Sequence, residues 1–220
     1  RILRESVEYF IKKPVDEKYL YYTVKNLNRL LASNRTVSPL TGLPGNVQIH
    51  AELKKRISSN EPFSVLYLDL DNFKAYNDVY GFLKGDEIIK LTAKIITKHI
   101  HALESTDAFV GHIGGDDFVA ITNDDIDYEA ICQDIIAEFD VEVLKLFNDT
   151  DIERKYIEVQ NRKGVMEQFP LTSISIGVVV ADAKRFSNIL EIGEVGAQVK
   201  HLSKTTMGSS YAIDRREEND

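Results

Sequence analysis

The chain has 220 residues, room for one substantial domain with an appendage or for two small domains. Hydrophobic residues make up 43% and aromatic residues 9%, which supplies a core and excludes wholesale disorder. A formal net charge of −8 argues against non-specific binding to nucleic acid or an anionic membrane, while local lysines and metals can still offset it around a phosphorylated small molecule.

The opening residues 1–14, RILRESVEYFIKKP, close on a Lys-Pro pair and do not resemble a signal peptide. No apolar run approaches about 18 residues, so no transmembrane span is expected and the chain reads as cytoplasmic. From Val15 the pattern turns helical, with Leu20, Val24, Leu27 and Leu31 on one stripe that needs a partner. SNRTVSP, Ser33 to Pro39, reads as a linker, and a second helix is expected over Asn46 to Ser58.

EPFSVLYLDLDNF reads as a strand, and its run Val65, Leu66, Tyr67, Leu68 suits a central strand buried on both faces. Residues 83–101 have helical period. Short strands at about 107–113 and 117–122 follow, then a long helix over about 127–147 carrying Ile131, Ile135, Phe139 and Val143. KYIEVQNRKGVMEQFPL predicts a β-hairpin turning near Asn161–Gly164, an addition to the main sheet. LTSISIGVVV is a further buried strand, residues 185–204 a last helix and SSYAI a terminal strand. Alternating strands and helices with hairpins favour an α+β sheet layered with helices over a purely parallel fold. The lone Cys132 lies in an apolar helical stretch and reads as a buried structural thiol, and no Cys/His cluster has zinc spacing.

Two places concentrate acid. In HIGGDDFVAI, His112 to Ile121, two glycines at a strand–strand junction permit positive φ and close approach of backbone to a ligand, leaving Asp116 and Asp117 at the tip. Ordinary turn chemistry explains the same residues. In LDLDNF, Asp69 and Asp71 end a buried strand, where a bare carboxylate is costly unless paired or metal-bound; Asp71 could equally cap a following helix. An EF-hand fails on spacing, since Lys74 falls at position six and Tyr80 at position twelve. If the hairpin lies beside the strand, Asp69 and Asp116 converge, and two carboxylates plus substrate phosphates are a usual way to hold Mg²⁺.

LTGLPGN (40–46), DLDNFKAYNDVYGFLKGDEII (69–89) and GGDDF (114–118), in that order, resemble the GGDEF domain of bacterial diguanylate cyclases. The likeness covers about Ser38 to Ala212. It implies the nucleotidyl-cyclase palm, a ferredoxin-like core whose mixed, mainly antiparallel central sheet is flanked by helices, here with an extra β-hairpin and an N-terminal linker helix. It implies condensation of two GTP into cyclic di-GMP with Mg²⁺ or Mn²⁺, by a homodimer. By the resemblance, Asp69, Asp116 and the carbonyl of Leu70 are metal ligands. Asp117 stands near the second metal and the attacking hydroxyl. Asn77 and Asp86 read the guanine edge, which suits an amide and a carboxylate. Phe73, Lys74, Gly114 and Gly115 contact the nucleotide, and Lys200 and Lys204, four apart on one helix face, hold the terminal phosphates. A solvated helix face is the plainer reading of those two lysines.

The chain departs from the family at four places: Asp117 replaces glutamate, Phe82 a usual histidine, Ser38 an aspartate that often precedes PLTG, and Lys204 an arginine with bidentate geometry. These leave open a module that binds GTP or a protein partner without turnover. The family's inhibitory Arg-x-x-Asp maps onto Ser105 and Ala108, while Glu104-x-x-Asp107 is one residue out of register, so no inhibitory product site is expected. SVEYFIKKPVDEKYLYYTV is similar to the end of a response-regulator receiver domain, with Lys13 as its phosphoryl-contacting lysine. Residues 1–37 are thus expected to be a receiver remnant and linker helix, and 38–220 the GGDEF domain.

Overall fold

Residues Phe63 to Asp71 alternate between two apolar faces, and the rest of the fold is laid against that strand. The structure is a computed structural model that describes residues 16–34, 37–103, 107–123, 126–161, 163–181 and 185–214. The chain divides into two compact units, Arg1–Thr36 and Val37–Asp220. In the first, α1 (Glu17–Asn34) is capped by Asp16, whose Oδ1 accepts the Tyr19 N–H at 2.9 Å. Leu20 and Val24 of the expected stripe are exposed. Of the receiver-like segment, residues 6–15, Lys13 among them, lie outside the described residues and the rest opens α1; the side chains of Leu27 and Leu31 are likewise not described.

The second unit runs α2 (Asn46–Ser59), β1 (Phe63–Asp71), α3 (Phe73–Tyr80), α4 (Phe82–His101), β2 (Phe109–Gly114), β3 (Asp117–Asn123), α5 (Tyr128–Val143), α6 (Asp149–Arg154), β4 (Tyr156–Gln160), β5 (Met166–Pro170), β6 (Ser173–Ala181), α7 (Ile189–Ser203) and β7 (Ser210–Ile213). Five strands form one sheet in the order β2-β3-β1-β6-β7, antiparallel except for the parallel β6–β7 pair. The expected α+β architecture with a mixed central sheet flanked by helices is what forms.

Because strand side chains alternate, β1 serves two cores. Leu66, Leu68 and Leu70 join Ile88, Ile95 and Ile96 of α4 and Ile135 and Phe139 of α5. Phe63 and Val65 face the other way, into a smaller core with Leu53 of α2 and Ile192 of α7. Asp69 and Asp71 fall on that second face by the same alternation. Two glycines let α7 lie close. A Cβ on Gly177 would sit 2.6 Å from the Lys200 backbone nitrogen, and one on Gly196 2.2 Å from the Tyr67 ring. Cys132 is fully buried and its thiol is pushed up to about 12 by burial, then by Glu129, as befits an inert structural residue.

Several expectations need correction. The helix expected over 127–147 ends at Val143, passes through a 3₁₀ turn at Leu144–Leu146, and restarts as α6. The cause is Asn148, which is extended and whose Oδ1 accepts the Asp151 N–H at 2.8 Å, opening a new helix. The β4–β5 hairpin forms a two-stranded sheet of its own and does not extend the main one. The last helix begins at Ile189, after the Asn188 cap, and not at 185. The short α3 is an additional element, entered through Asn72 at φ 57°. Among the described residues no helix is long and apolar enough to cross a membrane.

The Gly177 contact is directly testable. Gly177→Ala should destabilise by about 1–3 kcal/mol, because the added methyl meets backbone that cannot give way cheaply. Urea unfolding reads it, and a loss below about 0.5 kcal/mol, the ordinary range for surface changes, would show that α7 is not held so close.

Candidate active site

The site is assembled where β1, β3 and β6 end. Asp69 lies opposite Asp117 across β1–β3 and opposite Ser175 across β1–β6. Directly opposed like charges are destabilising unless something neutralises them. Here α7 supplies that charge. Lys200 Nζ donates to Asp69 Oδ1 at 2.9 Å and to Asp117 Oδ1 at 2.5 Å. Lys204, one turn on, donates to Asp69 Oδ2 and stands 3.5 Å from Asp71 Oδ1. Asp71 also accepts from Ser175 Oγ at 2.7 Å and Ser173 Oγ at 3.2 Å, so it is spent on β6 and does not cap α3. The α3 cap position, Asn72, makes no side-chain cap bond either.

The electrostatics follow from this arrangement. Burial works against the Asp69 charge, but the hydrogen bonds from Lys204 and Lys200 outweigh it and hold the carboxyl below its ordinary range. Burial likewise opposes the charge of both lysines, and the carboxylates they touch more than restore it, holding each above its ordinary value. Asp116 goes the other way: burial, then the nearby charges of Asp69 and Asp117, push its carboxyl up despite its own backbone hydrogen bond.

Asp116 sits in the two-residue turn between β2 and β3, beside Gly115 at φ 59° and Gly114 at φ 147°. A Cβ on either glycine would meet nothing within 4 Å, so backbone conformation and not crowding is what requires glycine there. From this turn a cavity of about 460 Å³ extends past Leu40, Asn46 and His112 to Asp86 and Ile89 of α4. On α3, Asn77 packs so tightly on Gly85 that a Cβ there would lie 1.9 Å from its Oδ1. That oxygen is buried and has no hydrogen-bond partner among the described residues, an expensive state for a carboxamide unless a ligand completes it.

Of the residues singled out by sequence, Asp69, Asp117, Lys200 and Lys204 are in direct contact, and Asp116 lies within electrostatic reach of three of them. Asp86 shares the cavity with Gly114 and Gly115, while Asn77, which is not among the residues lining it, packs on Gly85 beside Asp86 in sequence. Leu70 and Phe73 are buried. Lys74 is apart from the acids, lining a different cleft of about 530 Å³ with Asp78, Asn161 and Glu167. Phe82, which replaces the family's usual histidine, is exposed and takes no part in the core. Of the inhibitory-site positions, Glu104 and Ser105 lie outside the described residues.

Among the described residues no three acidic, histidine or cysteine side chains form a ready coordination shell; an ammonium group lies between Asp69 and Asp117 instead. The donor types nevertheless suit a hard divalent cation: the carboxylate oxygens of Asp69 and Asp117, with Asp116 near enough to feel the charge of both. Sequence reading missed Gly177, the serines Ser173 and Ser175, and His112, whose ring bonds to the glycine turn. The small polar residues at alternate positions of SISIG were the available signal for β6.

Asp69 gives a pH signature. Its folded carboxyl is lowered, so its stabilisation is fully present above the ordinary aspartate value of about 4 and fades as pH falls through the lower folded value. Asp69→Asn should cost about 1–2 kcal/mol near neutrality, less than a fully buried pair because both lysines keep some solvent. Denaturant unfolding at several pH values should show the gap from wild type closing below about pH 4; a gap that persists in acid would mean the pairing is not what Asp69 contributes.

The family profile described as "Diguanylate cyclase, GGDEF domain" matches residues 36–193. The diguanylate cyclase DgcZ of Escherichia coli is 27% identical over 157 residues, 70% of this chain and 50% of that protein. The diguanylate cyclase DgcS of Shewanella oneidensis is 36% identical over 103 residues, 44% of this chain and 33% of that protein. The GGDEF domain of DgcB from Caulobacter crescentus, crystallised with c-di-GMP, superposes with a TM-score of 0.57 at 18% identity, over 81% of this chain and 95% of that one; at that identity the likeness speaks for the fold. This chain spans half or less of the length of the curated relatives it matches. With most of its second unit inside one family profile and the same fold beneath it, the chain belongs to the GGDEF, diguanylate cyclase, family.

Proposed function

We propose that residues 38–220 form a diguanylate cyclase domain that joins two GTP into cyclic di-GMP, working in the cytoplasm as a homodimer. Residues 1–37 then carry the linker and the end of an upstream receiver domain, so that cyclase output follows a response regulator. The observation that carries the reading is the meeting of Asp69, Asp117, Lys200 and Lys204 at one end of the sheet, beside the glycine turn. Acids suited to a divalent cation and ammonium groups suited to a triphosphate are the two halves of a phosphoryl-transfer site.

In this reading Asp69, Asp116 and the Leu70 carbonyl hold Mg²⁺ or Mn²⁺, with Asp117 beside them. The cation, once bound, would neutralise charge on the α-phosphate and favour loss of the proton from the attacking hydroxyl. The guanine edge completes the buried Asn77 Oδ1 and pairs with Asp86. Gly114 and Gly115 let the phosphates approach the backbone, whereas Lys74 lines another cleft with Asp78, Asn161 and Glu167 and Phe73 is a core residue, so neither side chain is assigned to the nucleotide. Lys200 and Lys204 exchange their carboxylate partners for the terminal phosphates, so nucleotide-free protein keeps its own counter-ions in the acid cluster. Each domain holds one GTP. The 3′-hydroxyl of one then attacks the α-phosphorus of the other in line, a P–O bond forms, and the α–β bridge breaks to release pyrophosphate. Repeating the step closes the ring with two pyrophosphates released. Two facing domains are therefore part of the chemistry, and alignment supplies much of the rate.

Incubation of the purified protein with GTP and Mg²⁺ or Mn²⁺ should yield cyclic di-GMP and pyrophosphate, and Asp69→Ala should abolish the product and weaken metal-dependent GTP binding. Unchanged binding in that variant would refute the metal assignment. GTP bound but not turned over, with Asp117→Glu producing cyclic di-GMP, would identify a non-catalytic binding module, the outcome favoured if the shorter Asp117 stays on Lys200.

A further inference from the structure

His112 is buried at the base of the glycine turn, with every polar atom of its ring engaged. Its Nε2 lies 3.0 Å from the Gly115 carbonyl oxygen. Its Nδ1 lies 2.8 Å from Ser38 Oγ and 3.2 Å from Thr41 Oγ1. A carbonyl can only accept, so Nε2 carries the proton, and in the neutral ring Nδ1 is left to accept from the Ser38 hydroxyl. The ring stacks on Phe118, centroids 4.5 Å apart and planes 12° apart. Its own backbone N–H donates to the Pro44 carbonyl at 2.8 Å.

We propose that His112 is a positioning residue, a strut that transfers the rigidity of the Ser38–Pro44 loop to the Gly115–Asp116 peptide and so aims the Asp116 carboxylate. The inference rests on the cyclase reading for its catalytic consequence, but its geometry stands apart from it. Gly114 and Gly115 are exposed, and no neighbour lies within 4 Å of where their Cβ atoms would be, so glycine's backbone freedom would otherwise leave that peptide plane loose. The loop is braced: Ser38 N–H donates to the Leu43 carbonyl and Gly42 N–H to the Ser38 carbonyl, both at 2.8 Å. The Ser38 side chain also explains one departure from the family. A hydroxyl gives Nδ1 a proton to accept, so the neutral ring serves both partners, whereas with an aspartate there the ring could keep the Gly115 bond only as an imidazolium donating from both nitrogens.

Two near-isosteric variants separate aiming from simple stability. Glutamine reproduces the Nε2 donor and asparagine the Nδ1 side. His112→Gln should keep the Gly115 bond, and His112→Asn should lose it, with similar losses of thermal stability. In nucleotide-free protein, amide hydrogen exchange at Asp116 and Asp117 should speed up in His112→Asn and stay near wild type in His112→Gln. In turnover, His112→Asn should lower kcat by about tenfold or more with KM for GTP little changed, and His112→Gln should restore most of it, as expected when a misaimed group costs rate and not binding. Equal exchange at the tip in both variants overturns the proposal, as does kcat loss that follows stability alone. A wild-type protein that makes no cyclic di-GMP counts against the cyclase reading, and the exchange comparison still decides the role of His112.

Discussion

Two carboxylates face each other across antiparallel strands at their buried ends, and that arrangement governs the rest of the site. Asp69 opposite Asp117 is a like-charge pair that folding must neutralise. Lys200 and Lys204 do so from α7, more than 80 residues away in sequence from either acid. Their reach depends in turn on Gly177, which lets the α7 backbone lie against β6 at Lys200 itself. One glycine, two acids and two lysines thus form a single mechanical and electrostatic unit.

That unit explains how the fold tolerates adjoining carboxylates at one end of its sheet. The lysines serve as internal cations to the acid pair, and in the proposed function each carboxylate–ammonium bond is exchanged for a phosphate when a triphosphate binds. Asp116 stands beside this unit, its carboxyl pushed up first by burial and then by the charges of Asp69 and Asp117. On the other side of the turn the cavity leads to Asp86, and its neighbour Gly85 packs on Asn77, whose buried amide oxygen lacks a partner among the described residues. In the proposed function the acid cluster suits a metal ion and the incomplete hydrogen bond at Asn77 suits a base edge.

Local chemistry was legible in the sequence where one interaction dominates. The apolar runs of β1 and β6, the Gly-Gly junction and the acid-bearing motif all declare themselves within a few residues. Competition between local signals was harder to see: the apolar spacing through Leu144 and Leu146 continues a helix, yet Asn148 caps another and stops it. Non-local pairing was not legible at all. Nothing near Ser38 announces that its hydroxyl meets His112, and nothing near Asp71 announces the serines of β6. The family motif did supply a shortlist of candidate residues, but not that Lys200 and Lys204 grip the acids, nor that Lys74 stands in another cleft.

The account turns on whether Asp69 and Asp116 serve one cation once the lysines have moved to phosphate. Anomalous scattering from crystals grown with Mn²⁺ and a non-hydrolysable GTP analogue tests this directly. The predicted result is a manganese peak touching both carboxylates, with Lys200 and Lys204 on the terminal phosphates. A peak elsewhere, or lysines still bonded to Asp69 with the nucleotide bound, would contradict it.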